Sequence, residues 1–564
     1  MKDYDVCIIG SGAGGSPVAL TLAKAGYDVV VLEKGPWLTE QDYYKDELAC
    51  CRRSVYSPNL KDEQHVIEDY NGKDNQGNYK WISESTSESG WDFWNGSVVG
   101  GSTNFMSGFF YRLKPEDFRL LSEFGPIKEA NIVDWPISYA DLEPYYTRVE
   151  TEVGVSGEAV AHPFAEPRST KDFPYPPTRE HPITKMFDAA CRRMKLHTLR
   201  TARAILPHAV GKRRGCAYSG YCGSYGCSTG AKGSARAALL DRAVATGHCE
   251  IRARVKVNRL LSNSSGKVTA AEYVDEKNNI QKVDAKIFVV ACQAVETSRL
   301  LLLSTGPKHP SGLANHSGQV GKNLIFSAGG SGNGDFPYDK FPEQIAAGLK
   351  VRGPFVNRGL QDWYIINDKK FGGRVKGGTI DFLLSHPNPI GRANRLMWDN
   401  DDNLLWGSKF KQKLKAHFIE AQYFRYEVFN DRLPVDDCFV SIDGKEKDKW
   451  GIPVAKIRIG YHDHDLEVGR FLGAKAEAVL RNMKAENVRG SISGSPPQNL
   501  QAGGCRFGKN PKTSVLDAEC RAHNVENLFI TDGSWMPTGG SVPFTWTIYA
   551  NSFRIADIIK KQLT

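Results

Sequence analysis

The chain has 564 residues, of which 41% are hydrophobic and 24% charged, a composition typical of folded globular proteins. This length exceeds what one hydrophobic core usually serves, so we expect two domains or one elaborated α/β domain. The net charge is +9, but the basic residues are scattered among 64 acidic ones, which argues against a nucleic-acid partner. The sequence contains no run of about 18 apolar residues that would predict a transmembrane helix, and no signal peptide precedes the first predicted strand. We therefore expect a cytoplasmic protein, with periplasmic export on a signal-bearing partner subunit left open.

A glycine-rich turn lies between the first apolar run and a helical pattern near the N-terminus. Its glycines, Gly10, Gly12 and Gly15, have the spacing G-x-G-x-x-G, and Glu33 closes a second apolar run about 20 residues later. Gly10 permits a tight turn, Gly12 lets backbone approach a pyrophosphate, and Gly15 lets the helix pack on the strand. Glu33 can accept hydrogen bonds from both ribose hydroxyls. These features predict a dinucleotide site built on a βαβ unit.

The middle of the chain alternates between irregular and regular patterns. Residues 40–95 show no sustained period, and we expect them to wrap the surface. A glycine-rich run follows at 94–104, and a proline-rich excursion at 163–182. Residues 250–303 return to strands followed by a helix, an α/β pattern.

Residues 326–465 are richer in aromatic residues and in alternating strand patterns, which predict a separate, largely antiparallel cap. The chain closes on a strand, a turn and a helix at 527–559. The predicted organisation is a first cofactor-binding segment at 1–40, a mixed lid and substrate segment at 41–200 with a contact loop at 94–108, a second cofactor-binding segment at 201–325, a substrate-binding cap at 326–480, and a third cofactor-binding segment with the active-site blocks at 481–564.

Three cysteines, Cys216, Cys222 and Cys227, crowd into one loop rich in glycine, serine and tyrosine. In a reducing compartment such a cluster is better interpreted as free thiols or metal ligands than as disulfides.

Four blocks, at 10–15, 100–103, 292–301 and 531–534, resemble in order and spacing the glucose-methanol-choline (GMC) family of FAD oxidoreductases. Residues 100–118 and the three-cysteine loop ending at 229–232 are most similar to bacterial FAD-dependent sugar and gluconate dehydrogenase flavin subunits. The resemblance implies an α/β fold, with a Rossmann-like FAD-binding domain of the glutathione-reductase type and an inserted α+β cap based on an antiparallel sheet.

The resemblance also implies oxidation of a hydroxyl of a sugar, glycoside or polyol by hydride transfer to flavin N5. The electrons would pass to a non-oxygen acceptor, such as a cytochrome or quinone, with a small partner subunit. The FAD-binding residues it implies are Gly10, Gly12, Ala13, Gly14, Gly15, Glu33, Lys34, Gly100, Gly101, Ser102, Thr103, Asn104, Val255, Asp532 and Gly533. It further suggests a 3Fe-4S cluster on Cys216, Cys222 and Cys227, with incidental thiols as the alternative.

The usual catalytic pair of the family is missing. Leu500 stands where the family carries a histidine, and Pro543 where it carries an asparagine or histidine. Neither side chain can accept a proton. Three alternatives are open: a shifted register that involves Asn499 or Gln501, a base relocated to His462, His464 or a cap carboxylate, and a flavoprotein with atypical chemistry or little turnover.

Two further features concern the predicted active site. Arg506, next to Cys505, makes an anionic substrate conceivable. Phe544 and Trp546 form either an aromatic wall of a carbohydrate site or the packing beneath the last helix.

Overall fold

The computed structural model describes residues 3–50, 64–73, 79–89, 93, 95–327, 329–353, 355–399, 401, 403–492 and 500–564, so the predicted Asn499 lies outside the described residues. The strands are β1 Tyr4–Ile9, β2 Val29–Leu32, β3 His65–Lys73, β4 Tyr79–Ser85, β5 Phe109–Phe110, β6 Thr198–Arg200, β7 Ala202–Arg203, β8 Cys249–Arg252, β9 Lys256–Ser262, β10 Val268–Val274, β11 Ile280–Val290, β12 Lys322–Phe326, β13 Gly330–Pro337, β14 Arg358–Leu360, β15 Ile365–Asp368, β16 Gly373–Lys376, β17 Gly378–Leu384, β18 Ala421–Asn430, β19 Phe439–Lys447, β20 Pro453–Ile459, β21 Glu486–Ile492, β22 Gln501–Gly504 and β23 Leu528–Ile530.

The α-helices are α1 Ser16–Lys24, α2 Glu47–Cys50, α3 Thr86–Ser89, α4 Leu120–Phe124, α5 Tyr139–Val149, α6 Ile183–Arg193, α7 Asp241–Val244, α8 Ala294–Leu303, α9 Glu343–Leu349, α10 Pro389–Leu396, α11 Gly407–Lys415, α12 Asp463–Asn482 and α13 Thr545–Leu563. In the part of the chain that is described, no helix combines the length and the apolar character needed to cross a bilayer.

A parallel sheet carries the N-terminal glycine turn. Its strands lie in the order β8-β2-β1-β11-β23, and each is paired in parallel with its neighbour. The residues of β2 are all apolar and all buried, as expected for a strand covered on both faces. The first half of β11 leaves this sheet and pairs antiparallel with β10, which pairs with β9. The predicted Rossmann-like α/β domain is therefore confirmed.

A second sheet is antiparallel and has the strand order β21-β13-β18-β17-β14-β6. Helix α12 packs on it through Val468, Leu472 and Ala476, which are buried in one cluster with strand residues such as Phe424 and Val428. This is the antiparallel α+β unit that the resemblance implies. Strands β6 and β21 lie outside residues 326–480 in sequence, and the domain boundaries stay a prediction.

The stretch at 40–95 differs from expectation, because part of it enters a four-stranded sheet of order β19-β20-β3-β4. Strand β3 pairs in parallel with β20, with His65 opposite Ala455, and His65, Val66 and Ile67 are buried. The expectation of a surface wrap was wrong for this segment. Its pairing partner lies far along the chain, so local periodicity could not reveal it.

Several predicted elements lie where the patterns put them. Helix α8 closes the strand and helix pattern predicted at 250–303, and β17 lies in the stretch at 326–465 predicted to contain antiparallel strands. These elements matter for function because α8 begins beside the carboxyl ends of β1 and β11, where the glycine turn lies.

Candidate functional site

A cavity lies over the carboxyl ends of β1, β2 and β11, and we call it the glycine cavity. The predicted residues that line it are Gly10, Gly12, Ala13, Gly14, Glu33, Lys34, Gly101, Ser102, Thr103, Val255, Leu500, Gln501, Asp532 and Gly533. The fold thus brings together segments from both ends and the middle of the chain. The carboxyl ends of parallel strands are the usual ligand site of open α/β sheets.

The glycines of the turn differ in what surrounds them. A Cβ on Gly10, whose φ is +96°, would overlap the carbonyl oxygen of Ala291, and one on Gly15 would overlap the carbonyl oxygen of Gly10. A Cβ on Gly14 would lie 2.7 Å from the backbone nitrogen of Asp532. Around Gly12, by contrast, a Cβ would meet nothing within 4 Å. The turn is therefore packed tightly against its own fold, while Gly12 leaves room on the cavity side.

Glu33, at the end of β2, is buried and held in one orientation. Its carboxylate accepts hydrogen bonds from the backbone nitrogens of Ser11 at 3.1 Å and Gly35 at 2.9 Å, and from Ser11 Oγ at 2.5 Å. Burial raises the pKa of Glu33 above its ordinary value, against the effect of these bonds. The side chain is thus fixed before any ligand arrives.

Asp532 and Gln293 connect the closing strand to α8. Asp532 Oδ2 accepts from the backbone nitrogen of Gln293 at 3.0 Å and from Thr297 Oγ1, and burial raises the pKa of Asp532. Gln293 has φ +80° and caps α8, since its Oε1 accepts from the backbone nitrogen of Val295 at 2.9 Å. Its Nε2 donates to Gln501 Oε1 at 2.8 Å. Gln293 lies in the block at 292–301, but the sequence pattern does not mark this residue as part of the site.

Two polar atoms of the lining lack a partner. Ser97 Oγ and Asn258 Oδ1 are buried, and neither has a hydrogen-bond partner among the described residues. A buried, unsatisfied polar group costs about 1–3 kcal/mol, so such atoms mark where a polar ligand would bond. Together with the space beside Gly12 and the N-terminus of α1, they fit a long polar ligand with a pyrophosphate, such as FAD. Ser97 lies within the predicted run at 94–104, and Asn258 follows the predicted Val255 by three residues, yet sequence reasoning named neither.

The end of the glycine cavity near Leu500 is different in character. Leu500 lines the cavity with φ +61°, a left-handed conformation that is uncommon for leucine. Pro543 is buried and does not line the cavity, whereas its neighbours Phe544 and Thr545 do. No histidine is found among the described residues that line this cavity. This end therefore presents no imidazole to a ligand.

Three other predicted residues, the base candidates His462 and His464 and the cation Arg506, do not line the glycine cavity. His462 caps α12, because its Nδ1 accepts from the backbone nitrogen of His464 at 3.1 Å and its Nε2 contacts the carbonyl oxygen of Lys128 at 2.9 Å. Burial lowers the pKa of His464. Arg506 donates to backbone carbonyl oxygens, that of Thr513 at 3.0 Å among them. All three side chains have structural contacts of their own.

Some predicted residues support the lining without being part of it. The backbone nitrogen of Gly100 donates to Ser11 Oγ at 2.9 Å, and Asn104 Nδ2 donates to the carbonyl oxygens of Val99 and Gly101. Trp546 is buried against Tyr146, to whose carbonyl oxygen its Nε1 donates at 3.2 Å. Trp546 thus follows the packing alternative, while Phe544 faces the cavity.

The three-cysteine loop packs against the contact loop. Lys232 Nζ donates to the carbonyl oxygens of Asn104 at 3.0 Å, of Cys222 at 3.0 Å and of Tyr225 at 2.7 Å. Burial raises the pKa of Cys216 to about 12 and also raises that of Cys222. Across the described residues, no group of three His, Cys, Asp or Glu side chains is arranged to hold a metal ion. The predicted cysteine ligands of a 3Fe-4S cluster thus form no such group here.

A second cavity, of about 500 Å³, begins next to the first: Met106 lines the glycine cavity, and Ser107 lines the second. We call it the basic cavity, after its cationic side chains Arg203, Lys350, Arg352 and Arg392. His386 and His417 also line it. A Cβ on Gly223 would overlap both His386 and Ser107 Oγ, so these two side chains are close neighbours.

Comparisons with known proteins agree with this geometry. Residues 177–327 and 434–552 match two family models described as GMC oxidoreductase, and residues 5–39 match an FAD binding domain. The chain is 29% identical to 2-methyl-1,2-propanediol dehydrogenase of Mycolicibacterium austroafricanum, over 99% of this chain and 96% of the relative. It is 30% identical to paromamine 6'-oxidase of Streptomyces fradiae, over 99% of this chain and 92% of the relative.

A more distant relative is the fructose dehydrogenase large subunit of Gluconobacter japonicus, 26% identical over 99% of this chain and 98% of the relative. Among solved structures, formate oxidase of Aspergillus oryzae aligns with a TM-score of 0.64 at 15% identity, over 100% of this chain and 99% of that one. That likeness concerns the fold alone.

Proposed function

Because the chain belongs to the GMC oxidoreductase family of FAD-dependent enzymes, we propose that it oxidises a hydroxyl group of a sugar, glycoside or polyol and passes the electrons to an acceptor other than oxygen. The observation that carries the proposal is the glycine cavity, where Ser97 Oγ and Asn258 Oδ1 have no hydrogen-bond partner among the described residues and fit a dinucleotide ligand. Relatives named for a propanediol, an aminoglycoside sugar and fructose support the substrate class.

Within this proposal, the residues of the turn hold the cofactor. Gly12 leaves room for a pyrophosphate at the N-terminus of α1, and Glu33 would accept hydrogen bonds from the adenosine ribose. Gly101, Ser102 and Thr103, which line the cavity, would hold the flavin. Bound FAD would supply the acceptor for a hydride. The chain itself must orient the substrate, exclude water and accept the hydroxyl proton.

We propose His386 as the group that accepts this proton. Two histidines, His386 and His417, line the basic cavity, and position decides between them. His386 lies beside Ser107, where the contact loop passes from one cavity to the other. An imidazole at this point can serve as a general base near neutral pH.

A second candidate is a flavoprotein with atypical chemistry or little turnover, acting on another bond or as a binding subunit. The specific observation in its favour is Leu500, an apolar residue lining the glycine cavity at the position of the family histidine. Full FAD occupancy without reduction by any alcohol would be its signature.

The electron acceptor and partner are also part of the proposal. The relative named as a large subunit supports a complex with another chain, through which a cytochrome or quinone would be reached. Export on that partner remains a prediction. An iron–sulfur cluster on Cys216, Cys222 and Cys227 would give iron by elemental analysis, and we expect a flavin-only visible spectrum instead.

The test is anaerobic mixing of the FAD-loaded protein with a panel of sugars, sugar acids, glycosides and polyols. The proposal predicts that at least one compound bleaches the oxidised flavin band. Full FAD occupancy with no bleaching by any compound would favour the second candidate.

A further inference from the structure

We propose that the basic cavity binds an oxyanion of the substrate, so that the oxidised sugar or polyol carries a carboxylate or a phosphate. This inference rests on the proposed function, because it assigns the substrate class of that site. It is independent of Arg506, whose guanidinium bonds backbone carbonyls away from this cavity.

The charge of the lining is the first observation. The four cations Arg203, Lys350, Arg352 and Arg392 line the cavity, and its described lining includes no aspartate or glutamate. Among the described residues, no carboxylate lies within 4.0 Å of any of these cations in an ion pair, as the ion pairs that are formed involve other side chains. A cavity with one sign of charge concentrates the opposite sign in its ligands.

Two buried arginines elsewhere in the protein have carboxylate partners. Arg112 pairs with Glu143 and Glu150, and Arg358 pairs with Glu180 and Asp188. Burying a guanidinium without a counter-charge is costly, and pairing is the usual solution. The described lining of the basic cavity supplies no carboxylate, so a counter-charge inside the cavity has to come from a bound anion.

Arg203 is the most deeply buried of the four cations, with only 3% of it exposed, and its guanidinium lies over the rings of Phe109 and Phe355. Its Nε donates to Asn357 Oδ1 at 2.5 Å and its Nη1 to the carbonyl oxygen of Ser107 at 2.8 Å, both neutral acceptors. Burial lowers the pKa of Arg203 to about 10, so the group stays charged at neutral pH. The positive charge is thus retained beside the contact loop.

His417 supplies the second, independent observation. Its Nε2 lies 3.1 Å from Arg392 Nε and 2.7 Å from Arg392 Nη2. A guanidinium can only donate, so His417 Nε2 is the acceptor and the ring proton of the neutral imidazole sits on Nδ1. Nδ1 is buried and points away from Arg392, because the two nitrogens of an imidazole face opposite sides of the ring. Among the described residues, Arg392 therefore bonds a neutral imidazole and not a carboxylate.

We assign the oxyanion to Arg392, with the exposed Lys350 and Arg352 adding positive charge. The cavity volume of about 500 Å³ lies in the range of small-molecule sites and suits a six-carbon ligand. Since the cavity also includes Ser107, a ligand anchored at Arg392 can extend a hydroxyl-bearing carbon towards the contact loop.

The experiment measures binding by calorimetry on the FAD-loaded protein, with D-gluconate, D-glucose 6-phosphate and neutral D-glucose as probes. At least one anion should bind tenfold or more tightly than glucose, and the preferred anion tells carboxylate from phosphate. Arg392→Gln should weaken anion binding roughly ten- to a hundredfold, because it removes charge-assisted hydrogen bonds, and should leave glucose unaffected.

The matched control is Arg395→Gln, which removes the same charge from the same helix at a residue outside the cavity lining. Equal losses in both variants would overturn the proposal, because they would report a diffuse field. Equal binding of glucose and both anions to the wild type would also overturn it. If Arg392→Gln fails to fold, the double variant Lys350→Gln/Arg352→Gln at the two exposed cations replaces it. We expect this variant to lose at least threefold in anion affinity, and an unchanged affinity would overturn the proposal.

Failure here is distinguishable from failure of the proposed function. Calorimetry needs no turnover, so anion-selective binding without flavin bleaching would support this inference and contradict the oxidation. Bleaching by a neutral sugar without anion-selective binding would support the oxidation and contradict this inference.

Discussion

The two ends of the glycine cavity are built on different principles. Around Gly10 and Gly15 the backbone itself makes the site, and Glu33 is fixed by three hydrogen bonds before a ligand arrives. Around Leu500 the described lining contains amide, hydroxyl and apolar side chains but no imidazole. The difference teaches that holding a cofactor and performing its chemistry are separable properties of this chain. FAD binding depends on residues that are close together in the sequence. The chemistry depends on a side chain that comes from an element far along the chain.

The largest expected effect comes from removing the proposed base. His386→Gln should lower the rate of anaerobic flavin reduction about 10²- to 10⁴-fold while the FAD content stays unchanged, because a glutamine cannot take a proton. Stopped-flow absorbance of the flavin band measures it.

The matched control is His464→Gln, at a histidine next to the cap of α12. We expect a rate close to that of the wild type. A large loss in His464→Gln with none in His386→Gln would move the base to α12 and contradict our assignment.

The next effect tests the nucleotide end. Gly12→Val should weaken FAD binding about a hundredfold without unfolding the apoprotein, because a Cβ there meets no protein atom within 4 Å and the side chain fills the space on the cavity side. FAD titration by fluorescence and the melting temperature of the apoprotein measure both quantities. Gly444→Val, at an exposed glycine whose Cβ would also meet nothing, should change neither. Unchanged FAD affinity in Gly12→Val would remove this glycine from the site.

A smaller effect is expected at the ribose position. Glu33→Gln keeps the shape of the side chain and removes its charge, and it should raise the dissociation constant of FAD about tenfold. The value would be measured by the same titration. An unchanged constant would show that Glu33 only braces the turn through Ser11 and Gly35.

The smallest expected effect concerns the Leu500 end of the glycine cavity. Leu500→His in the His386→Gln background should restore flavin reduction by about three- to tenfold, because a histidine there would line the cavity. Histidine tolerates the left-handed backbone at this position better than most residues. No gain at any pH would mean that the Leu500 end lies away from the reacting group.

Much of the fold could be predicted from local sequence patterns, and the rest could not. The apolar run of β2, the glycine turn and helix α1 identify the parallel sheet, since each signal lies within a few residues. Strand β3 escaped prediction because its register depends on β20, far along the chain. A pairing of that kind leaves no periodic trace in the strand itself.

The site divides in the same way. Gly10, Gly12 and Glu33 could be named from spacing, whereas Asn258 and Gln293 line the cavity only because strands and a helix start converge there. The basic cavity could not be predicted from the sequence, because Arg203 and Arg392 belong to different elements. That no carboxylate lines the cavity with them is known only from the three-dimensional structure of the described residues.

The most direct test of the central claim is single-turnover reduction of the bound flavin. The FAD-loaded protein is mixed without oxygen with a sugar acid, sugar or polyol and, separately, with the same compound deuterated at the oxidised carbon. Our account predicts bleaching of the flavin, slowed by deuterium, with one product equivalent oxidised per flavin. Full FAD occupancy with no bleaching by any compound of these classes would contradict it.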